Sequence, residues 1–532
     1  MSQLKKTNTF DYIIVGTGLA GSVLANRLSE DGKTTVLALE AGINNDQDAA
    51  ITDSSQAGML HDMFHNKYFW DGESIQQPQV NQRTFDYTGG RLLGGSSSIN
   101  GEQYVRGTPH IFESWARLTG DPDWGPSNIY ATYKKLENFL GNTMNPESRG
   151  RTGPVDIRQT PIQPSITTTK LLTAITAATG FPEILDYNDP NTPIGPFSRW
   201  QLYQHPDGTR VSGSIAYLDP IIRASRSYPL SWAYGRHERQ LLIALGATAL
   251  RLVWDEKKEP VGVEYIHNGN GTHAFARKKV IICAGVHSPT FLLRSGIGPA
   301  QQLQAAKIPV MIDLPGVGQN LNNQTIVYIT VSTNSGDAPS KDLNALYSGG
   351  AFLPDPSLTS HTRGYQLIGM PGDSSTLLLI IIPLQPFSRG NIQVQSPDPL
   401  KQALVDQGYL LDPRDMQSLK AMVRQVRDIV TRLSTADSKY QLLSPNATTI
   451  DDNVALEAFI KSTLDQNHHW VGTCRMAPLQ QGGVVDNHGY VYGSHKRVMV
   501  ADASIYPFQS DGNTSAPVLA IANILANKLQ HV

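Results

Sequence analysis

Residues 11 to 42 read DYIIVGTGLAGSVLANRLSEDGKTTVLALEAG, and this stretch decides the fold. A short apolar run from Tyr12 to Val15 leads into three glycines, Gly16, Gly18 and Gly21, which have the spacing G-x-G-x-x-G. Apolar residues then recur at helical spacing, and a second β-type run follows from Val36 to Leu39. The order of strand, turn, helix and strand is typical of a dinucleotide-binding α/β fold.

The three glycines of this turn differ in their expected roles. Gly16 makes the tight turn, Gly18 lets the backbone approach a pyrophosphate, and Gly21 lets the helix pack closely on the strand. The positive end of the helix would then face the phosphates. We therefore expect the first cofactor contacts at Gly16, Gly18, Leu19, Ala20 and Gly21.

An acidic residue closes the second strand. Glu40 lies 24 residues after Gly16, where a carboxylate can accept hydrogen bonds from a ribose. An acid at this position favours an unphosphorylated adenosine ribose, as in FAD or NAD, and we include Glu40 and Ala41 among the expected cofactor contacts. The spacing alone does not separate FAD from NAD.

The composition narrows the class of protein. With 532 residues, the chain is long enough for two large or interleaved domains. Hydrophobic residues make up 40% and the formal net charge is −2, which indicates a globular protein and argues against nucleic acid as a partner. The two cysteines, Cys283 and Cys474, cannot form a disulfide framework or a four-thiolate zinc site. We interpret them as buried apolar residues and expect no metal site.

Two features bear on the location of the protein. The first ten residues, MSQLKKTNTF, lack the apolar stretch of roughly 7–15 residues that a signal peptide requires. The longest purely apolar run, from Leu377 to Pro383, is far shorter than the ~18 residues of a membrane span. We expect a cytoplasmic or otherwise intracellular protein without a membrane span, although a chain whose leader had been removed would look the same.

A second glycine-rich segment, TGGRLLGGSSSINGEQYVRG, occupies residues 88 to 107. So many small residues favour close approach of the backbone to a ligand. The pattern Gly90-Arg91-x-Leu93-Gly94-Gly95-Ser96-Ser97-x-Ile99-Asn100 resembles the first signature of the glucose-methanol-choline (GMC) flavin oxidoreductases. Further stretches similar to that family follow in order: CAGVHSPTFLLRSGIGP at 283 to 299, LPGVGQNL at 314 to 321, SRGNIQV at 388 to 394, HHWVGTCRM at 468 to 476, GGVVD at 482 to 486 and VADASIYP at 500 to 507. The resemblance spans essentially the whole chain, and within the family the chain is similar to hydroxymethylfurfural oxidase-like and choline dehydrogenase-like members.

The resemblance implies an architecture and a cofactor. It implies an α/β fold with a Rossmann-like FAD-binding domain assembled from separated segments, and an inserted substrate domain of antiparallel sheet and helices. On this basis the FAD-binding segments are 1–158, 236–310 and 466–532, and the substrate-domain segments are 159–235 and 311–465. It also implies further FAD contacts at Arg91, Gly94, Gly95, Ser96, Asn100, Gly101, Ala284, Asp502, Ala503, Asn513 and Thr514.

The same resemblance assigns the chemistry. Oxidation of an alcohol needs a group that takes the hydroxyl proton, and a histidine is the usual acceptor. His469 occupies the position of the family's catalytic base, and neutral imidazole is the form required, near its ordinary pKa of about 6.5. His468 is the alternative base. Asn513 matches the partner position, where an amide can donate a hydrogen bond to the substrate oxygen but cannot act as a base; its plainer interpretation is a helix cap.

The chain departs from the family pattern at three places. Ile99 stands where some relatives carry a histidine that attaches FAD covalently, so we expect non-covalent FAD. Asn323 and Gln324 replace a common Asp-His pair, which removes an acid and an imidazole from the domain junction. Ser515 replaces a second asparagine and would alter the polarity of the pocket.

The resulting functional hypothesis is FAD-dependent oxidation of a primary alcohol, aromatic, furanic or aliphatic, to an aldehyde. Electrons would pass to oxygen or another acceptor. The substrate pocket is expected to include His468, Trp470 and Tyr104, with Trp70 and Trp200 as further aromatic candidates; core packing is the alternative for each. A lyase or photoenzyme of the hydroxynitrile lyase or fatty-acid photodecarboxylase type, and a flavoprotein without turnover, are the alternative functions.

Overall fold

The computed structural model describes residues 8–43, 48–54, 67–161, 165–224, 232–333, 347–359, 362–372 and 375–530. Its strands are β1 Thr9–Val15, β2 Val36–Glu40, β3 Phe69–Trp70, β4 Gly89–Gly90, β5 Glu137–Leu140, β6 Val155–Gln159, β7 Gly195–Phe197, β8 Gln201–Leu202, β9 Ile222–Ala224, β10 Trp232–Gly235, β11 Leu241–Leu245, β12 Ala247–Trp254, β13 Pro260–His267, β14 Asn270–Ile282, β15 Ile297–Gly298, β16 Ile312–Asp313, β17 Thr325–Ser332, β18 Gly349–Leu353, β19 Tyr365–Pro371, β20 Thr376–Pro383, β21 Asn391–Gln393, β22 Leu404–Asp406, β23 Leu442–Ser444, β24 Asp465–Gln466 and β25 Val498–Val500. Its α-helices are α1 Leu19–Leu28, α2 Ala49–Thr52, α3 Pro109–Thr119, α4 Pro126–Leu136, α5 Ile166–Thr179, α6 Ser288–Arg294, α7 Ala300–Ala305, α8 Pro413–Ala436, α9 Ala447–Asp451, α10 Asn453–Thr463 and α11 Ser515–Gln530.

The first large sheet has a parallel centre. Strands β25, β14, β1, β2 and β11 lie side by side in that order and all run parallel. Every residue of β2 and of β11 is buried, as expected for strands covered on both faces. Antiparallel strands extend the sheet at both sides, with β10 and β9 beyond β11, and β13 and β12 beyond the first half of β14. The predicted strand, turn, helix and strand are confirmed as β1, α1 and β2.

The second large sheet is antiparallel. Its strands follow the order β23, β17, β20, β19, β18 and β7, and β24 pairs with the start of β17. Along β17, residues alternate between buried and half-buried, because the side chains of a strand point to opposite faces in turn. Helices α5 and α8 cover one face with an apolar core. The predicted combination of a Rossmann-like sheet with an antiparallel sheet and helices is therefore confirmed.

The chain passes repeatedly between the two sheets. The first sheet takes strands from Thr9–Glu40, Ile222–Ile282 and Val498–Val500, and the second takes most of its strands from Thr325–Ser444. The range 159–235, assigned from the sequence to the substrate domain, contributes β7 to the second sheet but β9 and β10 to the first. The strand pairing of the first sheet thus resumes at Ile222, ahead of the predicted change at 236. The domain limits as a whole stay a prediction.

The structure bears on the predicted absence of a membrane span but not on the predicted absence of a leader. Within the described residues, no helix combines the length and the apolar character needed to cross a membrane. The prediction that the chain lacks a leader concerns mainly residues 1–7, which lie outside the described residues.

Candidate active site

The two glycine-rich segments lie against each other at one edge of the first sheet. Gly18 and Gly94 form a parallel bridge, and the amide of Gly94 donates to the carbonyl of Thr17 at 3.0 Å. A Cβ on Gly95 would lie 2.7 Å from the Cα of Gly18, and one on Gly21 would lie 2.0 Å from the carbonyl oxygen of Gly16. These glycines are needed so that the backbones can approach this closely.

Gly18 differs from its neighbours. A Cβ added to it would have no heavy atom nearer than 4.0 Å among those surrounding it, so this position faces open space at the start of α1. Gly16 and Gly21 are required by packing within the protein, whereas Gly18 leaves room for a ligand at the positive end of a helix. This arrangement fits the pyrophosphate of a dinucleotide.

Glu40 ends β2 at the same edge and is buried. One carboxylate oxygen accepts from the amide of Thr17 at 3.0 Å and from its hydroxyl at 2.7 Å, and the other accepts from the amide of Gly42 at 2.8 Å. Burial raises the pKa of Glu40, and these hydrogen bonds counteract the rise. A carboxylate offers about four acceptor sites, so Glu40 keeps acceptor capacity for a ribose after making its three contacts with the protein.

Asp502 joins the ends of two parallel strands. Its Oδ2 accepts from the amide of Gly285 at 2.8 Å and from the hydroxyl of Ser288 at 2.6 Å, just beyond β14. Its Oδ1 accepts from the amide of Ser504 at 2.9 Å. Ala284 and Ala503 are thereby held at the carboxyl edge where Gly16 and Glu40 also lie. Their contact with a cofactor stays a prediction.

The other expected cofactor residues of the second glycine segment make the following contacts. The guanidinium of Arg91 lies 5.2 Å from the ring centre of Trp70. Ser96 Oγ accepts from the amide of Gly90, Asn100 Oδ1 accepts from Arg210, and the carbonyl of Gly101 accepts from the hydroxyl of Tyr347. A small pocket adjoins this segment, and Leu19, Ser97, Asn100, Tyr203 and Ser515 are among its lining residues. The effect of Ser515 on the polarity of the substrate pocket stays a prediction.

The predicted base and its partner are brought together. His469 and Asn513 are 44 positions apart, and Asn513 Nδ2 lies 3.4 Å from His469 Nε2. Asn513 Oδ1 is buried without a hydrogen-bond partner, and such an atom is costly unless a ligand supplies a donor. Both residues are half-buried. Thr514 follows, and its carbonyl accepts from the hydroxyl of Tyr506 at 2.6 Å.

Three amide side chains surround the other side of His469. Gln324 Oε1 lies 2.6 Å from His469 Nδ1, and Asn467 Nδ2 lies 2.9 Å from the same nitrogen. The backbone amide of His469 donates to Asn323 Oδ1 at 2.8 Å. The sequence singled out Asn323 and Gln324 only as departures that removed a contact. Instead, their amides hold the histidine, and this role was missed because the two segments are more than 140 positions apart.

Burial lowers the pKa of His469 to about 3, and the neighbouring His468 adds to the effect. Removal of water from around the ring disfavours the charged imidazolium, and the surrounding amides carry no negative charge that would offset this effect. The ring is therefore neutral at ordinary pH, which is the form that a base requires.

The residues expected to line the substrate pocket differ in how far they are buried. His468 is exposed, has a left-handed backbone with φ of 55°, and lies edge-on to the Trp470 ring at 5.2 Å. Trp470 is buried, and its Nε1 donates to Gln407 Oε1 at 3.0 Å. Tyr104 is also buried and contacts Arg106. Trp200 is buried, whereas Trp70 is half-buried against His287. Membership of the substrate pocket stays a prediction for these residues.

Neither metal chemistry nor a reactive thiol is indicated. In the described part of the chain, no cluster of three or more His, Cys, Asp or Glu side chains could hold a metal ion. Both cysteines are buried and unpaired, and burial raises the pKa of each thiol above its usual range.

The fold and the site together define a dinucleotide-binding α/β protein with a histidine-amide pair. Two family profiles described as GMC oxidoreductase match residues 10–326 and 386–522. Over 98% of its length, the chain is 30% identical to an oxygen-dependent choline dehydrogenase of Yersinia pseudotuberculosis, of which 94% is covered. The crystal structure of pyridoxine 4-oxidase from Mesorbium loti is 26% identical with a TM-score of 0.86, covering 98% of this chain and 99% of that one. An FAD-dependent oxidoreductase from Chaetomium thermophilum has 24% identity and a TM-score of 0.84, with the same coverage.

The chain belongs to the GMC oxidoreductase family. It is a flavoprotein oxidoreductase that acts on CH–OH groups, and it uses a small-molecule substrate and an electron acceptor. The resemblance to the GMC family seen in the motifs is confirmed, and so is the similarity to choline dehydrogenases.

Proposed function

We propose that this protein oxidises a primary alcohol to an aldehyde, with His469 as the general base and Asn513 as the hydrogen-bond donor to the substrate oxygen. The observation that carries the proposal is the pairing of His469 Nε2 with Asn513 Nδ2 at 3.4 Å beside a buried amide oxygen that has no partner. Nε2 takes the hydroxyl proton, and the Asn513 amide stabilises the oxygen as negative charge develops. An interaction that strengthens as charge develops raises the rate rather than only the affinity.

The cofactor in this proposal is non-covalent FAD. The open face of Gly18, the acceptor capacity of Glu40 and the closely packed second glycine segment support a dinucleotide at this edge. Ile99, which stands where some relatives have the attaching histidine, carries no nucleophilic atom. When bound at this edge, FAD would supply the acceptor for the hydride of the substrate carbon, with oxygen or another acceptor taking the electrons afterwards.

One face of the second sheet lies beside the contact between Gln324 and His469. Gln324, which contacts His469, directly precedes β17, and by the two-residue period of a strand it shares a face with Ile326 and Tyr328. The strand register places Ile380 opposite Tyr328 and Ile368 opposite Ile380 on that same face.

In the described strands this face also carries the polar residues Gln366 and Thr330, and Asp465 of β24 lies opposite Ile326. We keep an aromatic, furanic or aliphatic primary alcohol as the proposed substrate class. Choline is the alternative that the titration must test, because a quaternary ammonium calls for a carboxylate near its charge and Asp465 lies beside this face. We also propose an intracellular location, because both cysteines are buried and unpaired.

The test is anaerobic titration of the yellow holoprotein with benzylic, furanic and aliphatic primary alcohols, and with choline and a sugar as matched alternatives. We expect one of the apolar alcohols to bleach the long-wavelength flavin band and to yield the aldehyde. Readmission of air then shows whether oxygen restores the colour. Bleaching by choline alone would overturn the substrate class. A yellow protein that none of these alcohols bleaches would overturn the proposed oxidation and favour a lyase, photochemical or non-catalytic role.

A further inference from the structure

We infer that Gln324 is a positioning residue that fixes which ring nitrogen of His469 carries the proton. The inference rests on the proposed function, in which His469 Nε2 must be unprotonated to act as the base. It concerns an amide at a position where the family commonly has a histidine, and an amide acts on the ring differently because it carries no charge of its own.

The orientation of the Gln324 amide is determined by its surroundings. Its Nε2 faces three backbone carbonyl oxygens: Leu384 at 2.9 Å, Ser510 at 3.2 Å and Gly512 at 3.3 Å. A flipped amide would direct Oε1 at all three carbonyl oxygens. The carbonyls of Leu384 and Ser510 would then lose this donor, whereas that of Gly512 would keep the hydroxyl of Ser510. Gln324 is fully buried, so water cannot compensate for that loss. The carbonyl oxygen of Gln324 must therefore face His469.

This orientation determines the tautomer of His469. Gln324 Oε1 can only accept a hydrogen bond, and it lies 2.6 Å from His469 Nδ1. Nδ1 must carry a proton, because two lone pairs at that distance would repel each other. The neutral ring has one proton, so Nε2 keeps its lone pair and faces Asn513. Asn467 Nδ2 lies 2.9 Å from Nδ1 and 3.2 Å from Gln324 Oε1. Because a protonated Nδ1 offers no lone pair, the Asn467 amide donates to the Gln324 oxygen in this arrangement.

The neighbouring residue holds the backbone in the same way. Asn323 Oδ1 accepts from the amide of His469, and Asn323 Nδ2 donates to the hydroxyl of Tyr409 at 2.7 Å. Gln509 Nε2 donates to the carbonyl of His469 at 2.8 Å. Both backbone groups of the histidine are thus tied to buried amides directly after the left-handed His468. The main chain is held by Asn323 and Gln509, which leaves the ring orientation to Gln324.

The experiment compares the wild-type holoprotein with Gln324→Leu and with Gln77→Leu. Gln77 is a matched control, since it is also buried and its amide donates to the carbonyl of Ile75 and accepts from Gly408, away from His469. Nitrogen-15 NMR of histidine-labelled protein reports the protonation of each ring nitrogen, and the His469→Gln difference spectrum assigns the signals. The anaerobic rate constant of flavin reduction and the apparent dissociation constant of the alcohol are measured in parallel.

We expect wild-type His469 to be protonated at Nδ1 and bare at Nε2. In Gln324→Leu, we expect protonation to shift toward Nε2 and the reduction rate constant to fall about 100-fold with little change in substrate dissociation, since small misplacements of a reacting group cost about that much. Gln77→Leu should retain the wild-type tautomer and rate constant. A wild-type ring protonated at Nε2 would overturn the inference, and this measurement decides even if Gln324→Leu does not fold. Unchanged tautomer and rate in Gln324→Leu would also overturn it.

The same data distinguish this failure from failure of the proposed function. If His469→Gln reduces flavin as fast as wild type, the role of His469 as base is wrong. If His469→Gln is slow while Gln324→Leu behaves as wild type, the base assignment stands and the positioning role is wrong.

Discussion

Replacing His469 with glutamine should slow flavin reduction by the alcohol by about 10²–10⁴-fold, the usual contribution of a general base. At 1.36 kcal/mol per factor of ten, this loss corresponds to about 3–5 kcal/mol in activation free energy. Glutamine preserves a polar side chain of similar length, and Asn513 and Gln324 remain in place. The expected loss is therefore that of proton abstraction alone.

The assay is stopped-flow reduction of the flavin under anaerobic conditions, at several alcohol concentrations. His468→Gln is the matched control, because His468 is exposed and lies next to the predicted base. It should remain within about threefold of wild type. A rate constant for His469→Gln within tenfold of wild type, or an equal loss in His468→Gln, would refute the assignment.

The pH dependence of kcat/KM tests the same residue through its pKa. Burial lowers the pKa of His469 to about 3 from an ordinary value of 6.5, so the neutral base is lost only as the pH falls through the lower value. The acid limb of kcat/KM should therefore lie well below pH 6.5. The unfolded chain takes up this proton near 6.5, so the stability tied to the neutral ring is full above that pH and is lost as the pH falls from 6.5 toward about 3. An acid limb for kcat/KM at or above 6.5 would contradict this expectation.

Three further substitutions test other parts of the site and fold. Asn513→Ala should lower the rate constant of flavin reduction by about 10²–10³-fold, measured by stopped flow, and a loss under fivefold would exclude it as the oxygen's donor. Gly18→Ala should fold normally, because its Cβ would overlap no atom of the protein, but it should retain less FAD by absorbance. Gly21→Ala should instead reduce the folded yield, because its Cβ would overlap a backbone oxygen. Equal behaviour of the two variants would argue against the cofactor role of Gly18. Glu137→Gln leaves the buried guanidinium of Arg106 without its carboxylate. The free energy of unfolding, measured by urea titration, should fall by about 3–5 kcal/mol. A change below about 1 kcal/mol would contradict the importance of this pair.

Much of the cofactor edge follows from local sequence. The run from Tyr12 to Glu40 specifies strand, turn, helix and strand because apolar spacing and glycine positions act over a few residues. Gly21 is required because a Cβ there would overlap the carbonyl oxygen of Gly16, and so local a requirement is visible in a motif. Gly16, in contrast, lies against the carbonyl of Cys283, which only the tertiary structure brings close. The family resemblance implied FAD contacts in both glycine segments, and the pairing of the two segments is seen only in the structure.

The sequence by itself determined the kinds of groups in this protein: a glycine-rich dinucleotide-binding turn, a histidine and an asparagine in the family's catalytic positions, and a pair of amides at 323 and 324. Only the tertiary structure decided what those amides do. Gln324 and His469 are 145 positions apart, and they meet because β17 pairs with β24, which brings the two segments side by side. The protonation of a histidine depends on which acceptor lies beside each ring nitrogen. That neighbour is set by long-range strand pairing, which local spacing cannot reveal.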